Sequence, residues 1–176
     1  MIQNIPGISI LPLGGAREIC QVCIIVKDLA KSTKKYADLF GVPVPPIRTL
    51  SEDAKSLVTY RGKPLTGGFT QTVFYFRPDY GFELICPDEG PSVWRECMDR
   101  FGEGVNHIAY DIHDMDATIL EMGKLGYPVI QRGEFEKRNG SYAYLDTYDD
   151  LKVYVELLHH REREPFGADL FGKGIV

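Results

Sequence analysis

The sequence lacks the features that mark membrane and nucleic-acid-binding proteins. Its longest apolar run near residue 24 is the five-residue stretch VCIIV at 22–26, far below the ~20 residues of a bilayer-spanning helix. Basic residues are outnumbered, 20 against 25 acidic ones, and the formal net charge is -5, whereas nucleic-acid binders carry excess positive charge. The N-terminus has no basic region followed by an apolar stretch, so no signal peptide is predicted. We expect a cytoplasmic protein that binds neither nucleic acid nor membrane.

Cysteine is also scarce, with only Cys20, Cys23, Cys86 and Cys97. The Cys20-x-x-Cys23 spacing resembles half of a zinc site or a redox motif, but no second Cys pair completes a ligand set. Both residues lie in an apolar β-type run, where side chains three positions apart face opposite sides. We therefore predict buried structural thiols in a reducing compartment.

The overall composition is that of a globular protein, with 44% apolar and 26% charged residues among 176. This length suits one sizeable domain or two small units of similar build. Residues 20–27 are predicted to form a strand, and Asp28 caps a helix that ends at Gly41. The pattern predicts a loop at 61–68, a hairpin at 69–77 and 80–86, and a short helix at 93–101.

The same order of elements then returns. With Gln21 set against His107, QVCIIVKDLAKSTKKYADLFGVPV and HIAYDIHDMDATILEMGKLGYPV share strand, capping Asp, helix, Gly, Pro and Val. The last strands, 82–85 and 155–158, also correspond. The repeat predicts two βαβββ modules, 19–90 and 91–160, packed into one domain. An N-terminal arm (1–18) would precede this domain and a charged tail (161–176) would follow it.

The repeat places four polar residues in equivalent pairs within apolar strands. Gln21 matches His107 on the first strand of each module, and Glu83 matches Glu156 on the last strand. A carboxylate buried in such a strand costs several kcal/mol unless its charge is compensated. A divalent cation would compensate both carboxylates, with an imidazole and an amide as further ligands. Taken singly, a His or Glu in a strand is more often a satisfied core or surface residue.

These segments resemble the vicinal oxygen chelate superfamily, which includes glyoxalase I, methylmalonyl-CoA epimerase, extradiol dioxygenases and bleomycin-resistance proteins. The resemblance covers residues 19–160 and is strongest at QVCIIVKDL (21–29), GVNHIAYDI (104–112) and VEL (155–157). It implies an α+β fold in which two βαβββ modules form a cupped eight-stranded mixed sheet around one metal. The implied ligands are Gln21, Glu83, His107 and Glu156, and the family also implies a homodimer.

Within the superfamily, GEGVNHIAYDI and the compact spacing most resemble the methylmalonyl-CoA epimerase branch. That epimerase has His and Gln at the first two ligand positions, where this chain has Gln21 and Glu83. The set Gln, Glu, His, Glu resembles the eukaryotic-type glyoxalase I instead. That enzyme's glutathione-binding arginines correspond here to Ile25 and Glu103. The epimerase's separate catalytic glutamate has no counterpart in RGKPLTGGFTQT (61–72).

Both relatives remove a proton from a carbon next to a carbonyl, with a metal stabilising the enolate. The resemblance therefore implies an epimerase or racemase that acts on a small carbonyl compound. We expect one divalent ion, Mn, Co, Ni or Zn, and Glu83 and Glu156 as catalytic acid and base. An acyl-CoA would need basic groups for its phosphates, and an aromatic, isoflavanone-type ketone would need rings near the cup. The basic candidates are Lys31, Lys34, Lys35, Arg61 and Lys63, and the aromatic ones are Phe74, Tyr75, Phe76, Tyr142, Tyr144, Tyr148 and Tyr154.

Three other functions compete with this one. A glyoxalase I-like lyase would use the same two carboxylates, and a metal-free binding or resistance protein would use the cup alone. An iron dioxygenase needs two His and one carboxylate, and Gln21 stands where the first His belongs.

Overall fold

The computed structural model describes residues 13, 16, 18–77, 80–135 and 139–160. The predicted tail (161–176) lies outside these residues, and so does the predicted arm (1–18) except at positions 13, 16 and 18. The described residues form ten strands and five helices. The strands are β1 (Gln21–Ile25), β2 (Arg48–Thr49), β3 (Thr59–Tyr60), β4 (Lys63–Pro64), β5 (Phe69–Arg77), β6 (Tyr80–Pro87), β7 (Gly104–Asp111), β8 (Val129–Glu134), β9 (Gly140–Leu145) and β10 (Tyr154–His160). The helices are α1 (Leu29–Phe40), α2 (Glu52–Lys55), α3 (Val93–Phe101), α4 (Met115–Lys124) and α5 (Tyr148–Leu151).

All ten strands join one mixed sheet, in the order β2-β5-β6-β1-β7-β10-β9-β8-β3-β4. The central strands β1 and β7 pair antiparallel, and each has a parallel neighbour, β6 or β10. Outward from the centre, the first repeat gives β1, β6, β5, β2 and the second gives β7, β10, β9, β8. This matching order confirms the α+β fold of two βαβββ modules. The predicted eight strands are joined by β3 and β4, and β4 lies within the segment that was predicted to be a loop.

The main helices begin at the predicted caps. The Asp28 carboxylate accepts a hydrogen bond from Lys31 N at 2.9 Å, and the Asp114 carboxylate accepts one from Ala117 N at 3.0 Å. Helix α1 ends at Gly41, whose φ of 68° lies in the left-handed region that glycine tolerates. None of the described helices is long and apolar enough to cross a bilayer.

The two faces of the sheet are covered by different elements. On one, which we call the outer face, α1 and α4 bury apolar residues of both modules. The buried residues of this face are Val26, Leu29, Ala37, Phe74 and Leu84 around α1, and Ile112, Met115, Met122, Ala143, Leu145, Val155 and Leu157 around α4. The opposite, inner face carries Gln21, Cys23 and Ile25 of β1, and α3 packs on it through Val93, Trp94 and Cys97.

The connection between β2 and β3 requires the sheet to be curved. These strands are separated by seven others in the sheet, which would place them ~38 Å apart on a flat sheet. Ten residue-to-residue steps join Thr49 to Thr59, and four of them lie in the helix α2, so this connection spans at most ~27 Å. The two edges must therefore approach each other, as in the predicted cup.

Candidate functional site

The strand register brings the predicted site residues together on the inner face. Cys23 of β1 lies directly between Glu83 of β6 and His107 of β7. Residues opposed across neighbouring strands share a face and lie ~5 Å apart. Three chemically active side chains therefore form one row across the centre of the sheet.

The next row of the inner face contains the other two predicted ligands. Gln21 lies between Gly81 and Ala109, and Ala109 is in turn opposite Glu156 of β10. The small residues Gly81 and Ala109 leave space beside Gln21 and Glu156. All four predicted metal ligands thus occupy two adjacent rows.

The side chains converge on the imidazole of His107. Its Nε2 lies 3.1 Å from Glu156 Oε2 and 3.4 Å from Glu83 Oε2. His107 is fully buried, and Gln21, Glu83 and Glu156 are only 6%, 6% and 5% exposed. Despite these short distances, Nε2 makes no hydrogen bond within the described part of the chain. This nitrogen and the two carboxylates beside it are suitable ligands for a metal cation.

The charge balance of the site also fits a cation. Among the described residues, neither Glu83 nor Glu156 has a lysine or arginine partner. Burial alone would lower the pKa of His107, but the thiol of Cys23 and the carboxylate of Glu156 raise it overall, well above its usual value. Burial raises the pKa of the Tyr144 hydroxyl, and both carboxylates raise it further. A divalent ion held by oxygen and nitrogen donors would compensate this excess of negative charge.

Cys23 belongs to the site, which the sequence interpretation missed. The thiol sulfur, a Glu83 oxygen and a His107 nitrogen lie within 4.8 Å of one another, close enough to share one ion. The available signal was the period-2 alternation of a strand, which places Cys23 on the same face as Gln21. All four cysteines are free thiols; Cys23 and Cys97 are buried, and Cys20 and Cys86 are partly exposed.

Tyrosine rings line the inner face next to the ligands. The Tyr144 ring packs edge-on against His107, with centroids 5.1 Å apart, and its hydroxyl accepts a hydrogen bond from Trp94 Nε1 at 3.2 Å. Tyr142 lies two residues earlier on the same strand, β9, with its ring centroid 5.9 Å from that of Tyr144. Of the other aromatic residues predicted near the cup, Phe74 packs on the outer face and Tyr148 stacks on Phe101.

Four of the basic candidates for phosphate binding lie away from the ligands or are already paired. Lys31, Lys34 and Lys35 lie on α1, which covers the outer face, and Lys34 pairs with Asp38 at 2.9 Å. Arg61 forms an ion pair with Glu96 at 2.8 Å.

Solved structures of methylmalonyl-CoA epimerases resemble this fold. One, in complex with methylmalonyl-CoA and ammonium, is 18% identical with a TM-score of 0.58, and the match covers 85% of this chain and 99% of that chain. The Mycobacterium tuberculosis enzyme is also 18% identical with a TM-score of 0.58, covering 90% and 95%. A Streptomyces coelicolor variant in complex with 2-nitronate-propionyl-CoA is 18% identical with a TM-score of 0.58, and the match covers 85% of this chain and 99% of that chain. At this identity the likeness shows the fold. No curated protein matches the sequence.

The sequence profile of one superfamily matches residues 20–145, which is more than half of the chain. The match spans β1 to β9, and the paired βαβββ modules agree with it. The chain belongs to the Glyoxalase/Bleomycin resistance protein/Dioxygenase superfamily.

Proposed function

We propose that this chain is a metal-dependent epimerase or racemase that inverts a stereocentre next to a carbonyl group. The observation that carries the proposal is the approach of Glu83 and Glu156 to His107 Nε2, at 3.4 and 3.1 Å, from β6 and β10. These strands lie on opposite sides of the central β1/β7 pair. The two carboxyl groups therefore face the centre of the site from two sides.

Inversion needs an acid and a base on opposite faces of the substrate carbon. In this proposal, one carboxylate takes the α-proton, and the electron pair of the broken C–H bond moves to the carbonyl oxygen. The other carboxyl group, protonated at the start, then donates its proton to the opposite face. The substrate is inverted with no net gain or loss of protons.

Before substrate binds, Gln21, Glu83, His107 and Glu156 would hold a divalent Mn, Co, Ni or Zn ion. One or both glutamates would leave the ion on substrate binding and carry the protons. The ion would supply Lewis-acid stabilisation of the negative charge on the carbonyl oxygen. The near-complete burial of these four residues excludes bulk water and so strengthens the electrostatic interactions in the site.

Of the two substrate classes, the inner face favours a flat aromatic ketone. Tyr142 and Tyr144 lie beside the ligands, and aromatic rings pack well on aromatic substrates. The lysines of α1 lie on the outer face, and Arg61 is paired with Glu96, so they offer no ready phosphate site beside the ligands. The homodimer and the cytoplasmic location stay predictions.

Deuterium exchange tests the proposal. The metal-loaded protein would be incubated in heavy water with each enantiomer of an isoflavanone and of an α-branched acyl-CoA. We expect solvent deuterium to enter at the α-carbon together with inversion, and Glu83→Gln and Glu156→Gln each to abolish inversion. Full activity in a variant that keeps its metal would rule out that residue as acid or base. Stoichiometric binding of either compound without exchange would support a binding protein instead.

A glyoxalase I-like lyase is the second candidate, because it would use the same pair of glutamates. The two positions at which that enzyme carries glutathione-binding arginines hold Ile25, a fully buried core residue, and Glu103, which accepts a hydrogen bond from Lys27 N at 2.8 Å. Turnover of a glutathione hemithioacetal would favour this candidate despite those residues.

A further inference from the structure

Asn106 is the extra residue of a β-bulge in β7. Across from β7, Cys23 of β1 is opposite His107 and Ile24 is opposite Val105, so no residue of β1 is opposite Asn106. In an uninterrupted strand, Asn106 and His107 would point to opposite faces of the sheet. A bulge interrupts this alternation and redirects a side chain. Asn106 and His107 are both fully buried, at 0% exposure.

The redirected amide meets the imidazole of its own neighbour. Asn106 Oδ1 lies 2.8 Å from His107 Nδ1. A carbonyl oxygen only accepts hydrogen bonds, so Nδ1 is the donor in this pair. In the neutral ring the other nitrogen, Nε2, then carries the lone pair, and Nε2 is the atom that lies beside Glu83 and Glu156.

We propose that Asn106 is a positioning residue, which fixes the tautomer and orientation of the His107 ring so that Nε2 is ready to bind a metal ion. This inference rests on the proposed metal site. A ligand histidine held through its second nitrogen by a carbonyl or carboxylate is a stronger and better-oriented ligand, and removing such a partner costs about 10- to 100-fold in metal affinity.

An amide suits this position better than a carboxylate does. The site already contains two buried carboxylates and the Cys23 thiol, and a third carboxylate would add further uncompensated negative charge. Asn106 supplies the acceptor oxygen without charge. The Cys97 thiol of α3, itself 1% exposed, lies close enough to Asn106 for the amide to lower its pKa against the effect of burial.

Three variants separate positioning from packing. Asn106→Leu keeps approximate shape but removes the acceptor, and Asn106→Asp restores an acceptor. Gln131→Leu is the matched control, because Gln131 is equally buried but its Oε1 accepts from Val93 N at 3.0 Å rather than from His107. Zinc affinity would be measured by calorimetry on metal-free protein. The His107 tautomer would be read from ring nitrogen-15 shifts at alkaline pH, where the ring is neutral.

We expect Asn106→Leu to bind zinc about 10- to 100-fold more weakly than wild type and to lose the single Nδ1–H tautomer. Asn106→Asp should keep the tautomer and most of the affinity, and Gln131→Leu should match wild type in both. Unchanged affinity in Asn106→Leu, an equal loss in Gln131→Leu, or a wild-type ring protonated at Nε2 would overturn the inference. A wild type that binds no metal would contradict the proposed function, and the tautomer would still decide the role of Asn106.

Discussion

At the scale of single residues, the site is organised around His107. One ring nitrogen lies between two carboxylates, the other is held by Asn106, and the ring face is packed against Tyr144. The imidazole therefore has few alternative orientations. A rigid ligand loses little freedom when it binds a cation, which favours tight binding.

Removing the Tyr144 hydroxyl should reduce stability. Its oxygen accepts the Trp94 Nε1 hydrogen bond at 3.2 Å in a fully buried environment. Tyr144→Phe would leave the indole N–H unpaired, which costs about 1–3 kcal/mol. Urea unfolding should show this loss in the free energy of unfolding, while Tyr142→Phe should show a smaller one. A Tyr144→Phe variant as stable as wild type would contradict the role given to this hydrogen bond.

Cys23 should resist alkylation in the folded protein. It is fully buried, and burial raises the pKa of its thiol, so both access and thiolate content are low. Iodoacetamide at pH 8, followed by mass spectrometry, should modify the partly exposed Cys86 well before Cys23, and should modify both in denaturant. Equal rates in the native state would show that the inner face is open to reagents.

At the scale of elements, the β3–β4 hairpin is held against α3 by one carboxylate. Glu96 of α3 accepts hydrogen bonds from the Tyr60 hydroxyl and from Arg61 Nη2, the latter at 2.8 and 2.9 Å. The hairpin also pairs with the edge of the second module through Thr59 and Tyr60. It thereby links the two halves of the sheet across the inner face.

This link should weaken in acid. Burial alone would raise the pKa of Glu96, but the hydrogen bonds from Tyr60 and Arg61 lower it overall. The stabilisation is therefore complete above the unfolded-state pKa of about 4.3 and is lost as the pH falls through the lower folded-state pKa. Glu96→Gln should lower the free energy of unfolding by about 2 kcal/mol at pH 7. It should also make the free energy of unfolding fall less steeply as the pH is lowered.

Glu89→Gln is the control for that measurement. Glu89 pairs with Arg95 at 3.0 Å, but its side chain is 91% exposed, and exposed pairs contribute little. Urea unfolding between pH 3 and pH 7 would compare the variants. Equal effects from Glu96→Gln and Glu89→Gln would show that the hairpin is not held by Glu96.

Gly133 of β8 should be intolerant of a side chain. A Cβ there would come within 2.7 Å of the Tyr142 ring and 2.8 Å of Val58 Cγ2, so Gly133→Ala should cost about 1–3 kcal/mol. A Cβ at Gly123 of α4 would meet no described atom within 4 Å, and Gly123→Ala should stabilise by up to about 1 kcal/mol. Thermal unfolding would compare the two variants with wild type. A change of the melting temperature in the same direction for both variants would contradict these two predictions.

How much of these elements the sequence predicts depends on whether the signal is local. Helix caps at Asp28 and Asp114 are local and are visible in the sequence. The β3–β4 hairpin is not, because each strand has two residues and its turn uses Arg61 and Gly62, both at positive φ. Turns of this kind are usually marked by Asn-Gly or Asp-Gly, so the segment is predicted to be a loop.

At the scale of the whole molecule, the internal repeat is the most informative feature of the sequence. It predicts two equivalent βαβββ modules that pack together, and it places the four candidate ligands on the first and last strand of each module. It does not predict the bulge at Asn106, since strand alternation assigns Asn106 to the face opposite His107. That contact depends on the register between β1 and β7, which only the assembled sheet defines.

The central claim is that Gln21, Glu83, His107 and Glu156 bind a divalent metal ion. The most direct test is elemental analysis of protein purified without a chelating column, for wild type, His107→Ala and the exposed control His113→Ala. We expect about one ion per chain, from the group Mn, Co, Ni and Zn, in wild type and His113→Ala, and none in His107→Ala. A wild type that holds no metal even after all four are supplied, or a His107→Ala variant that retains it, would contradict the claim.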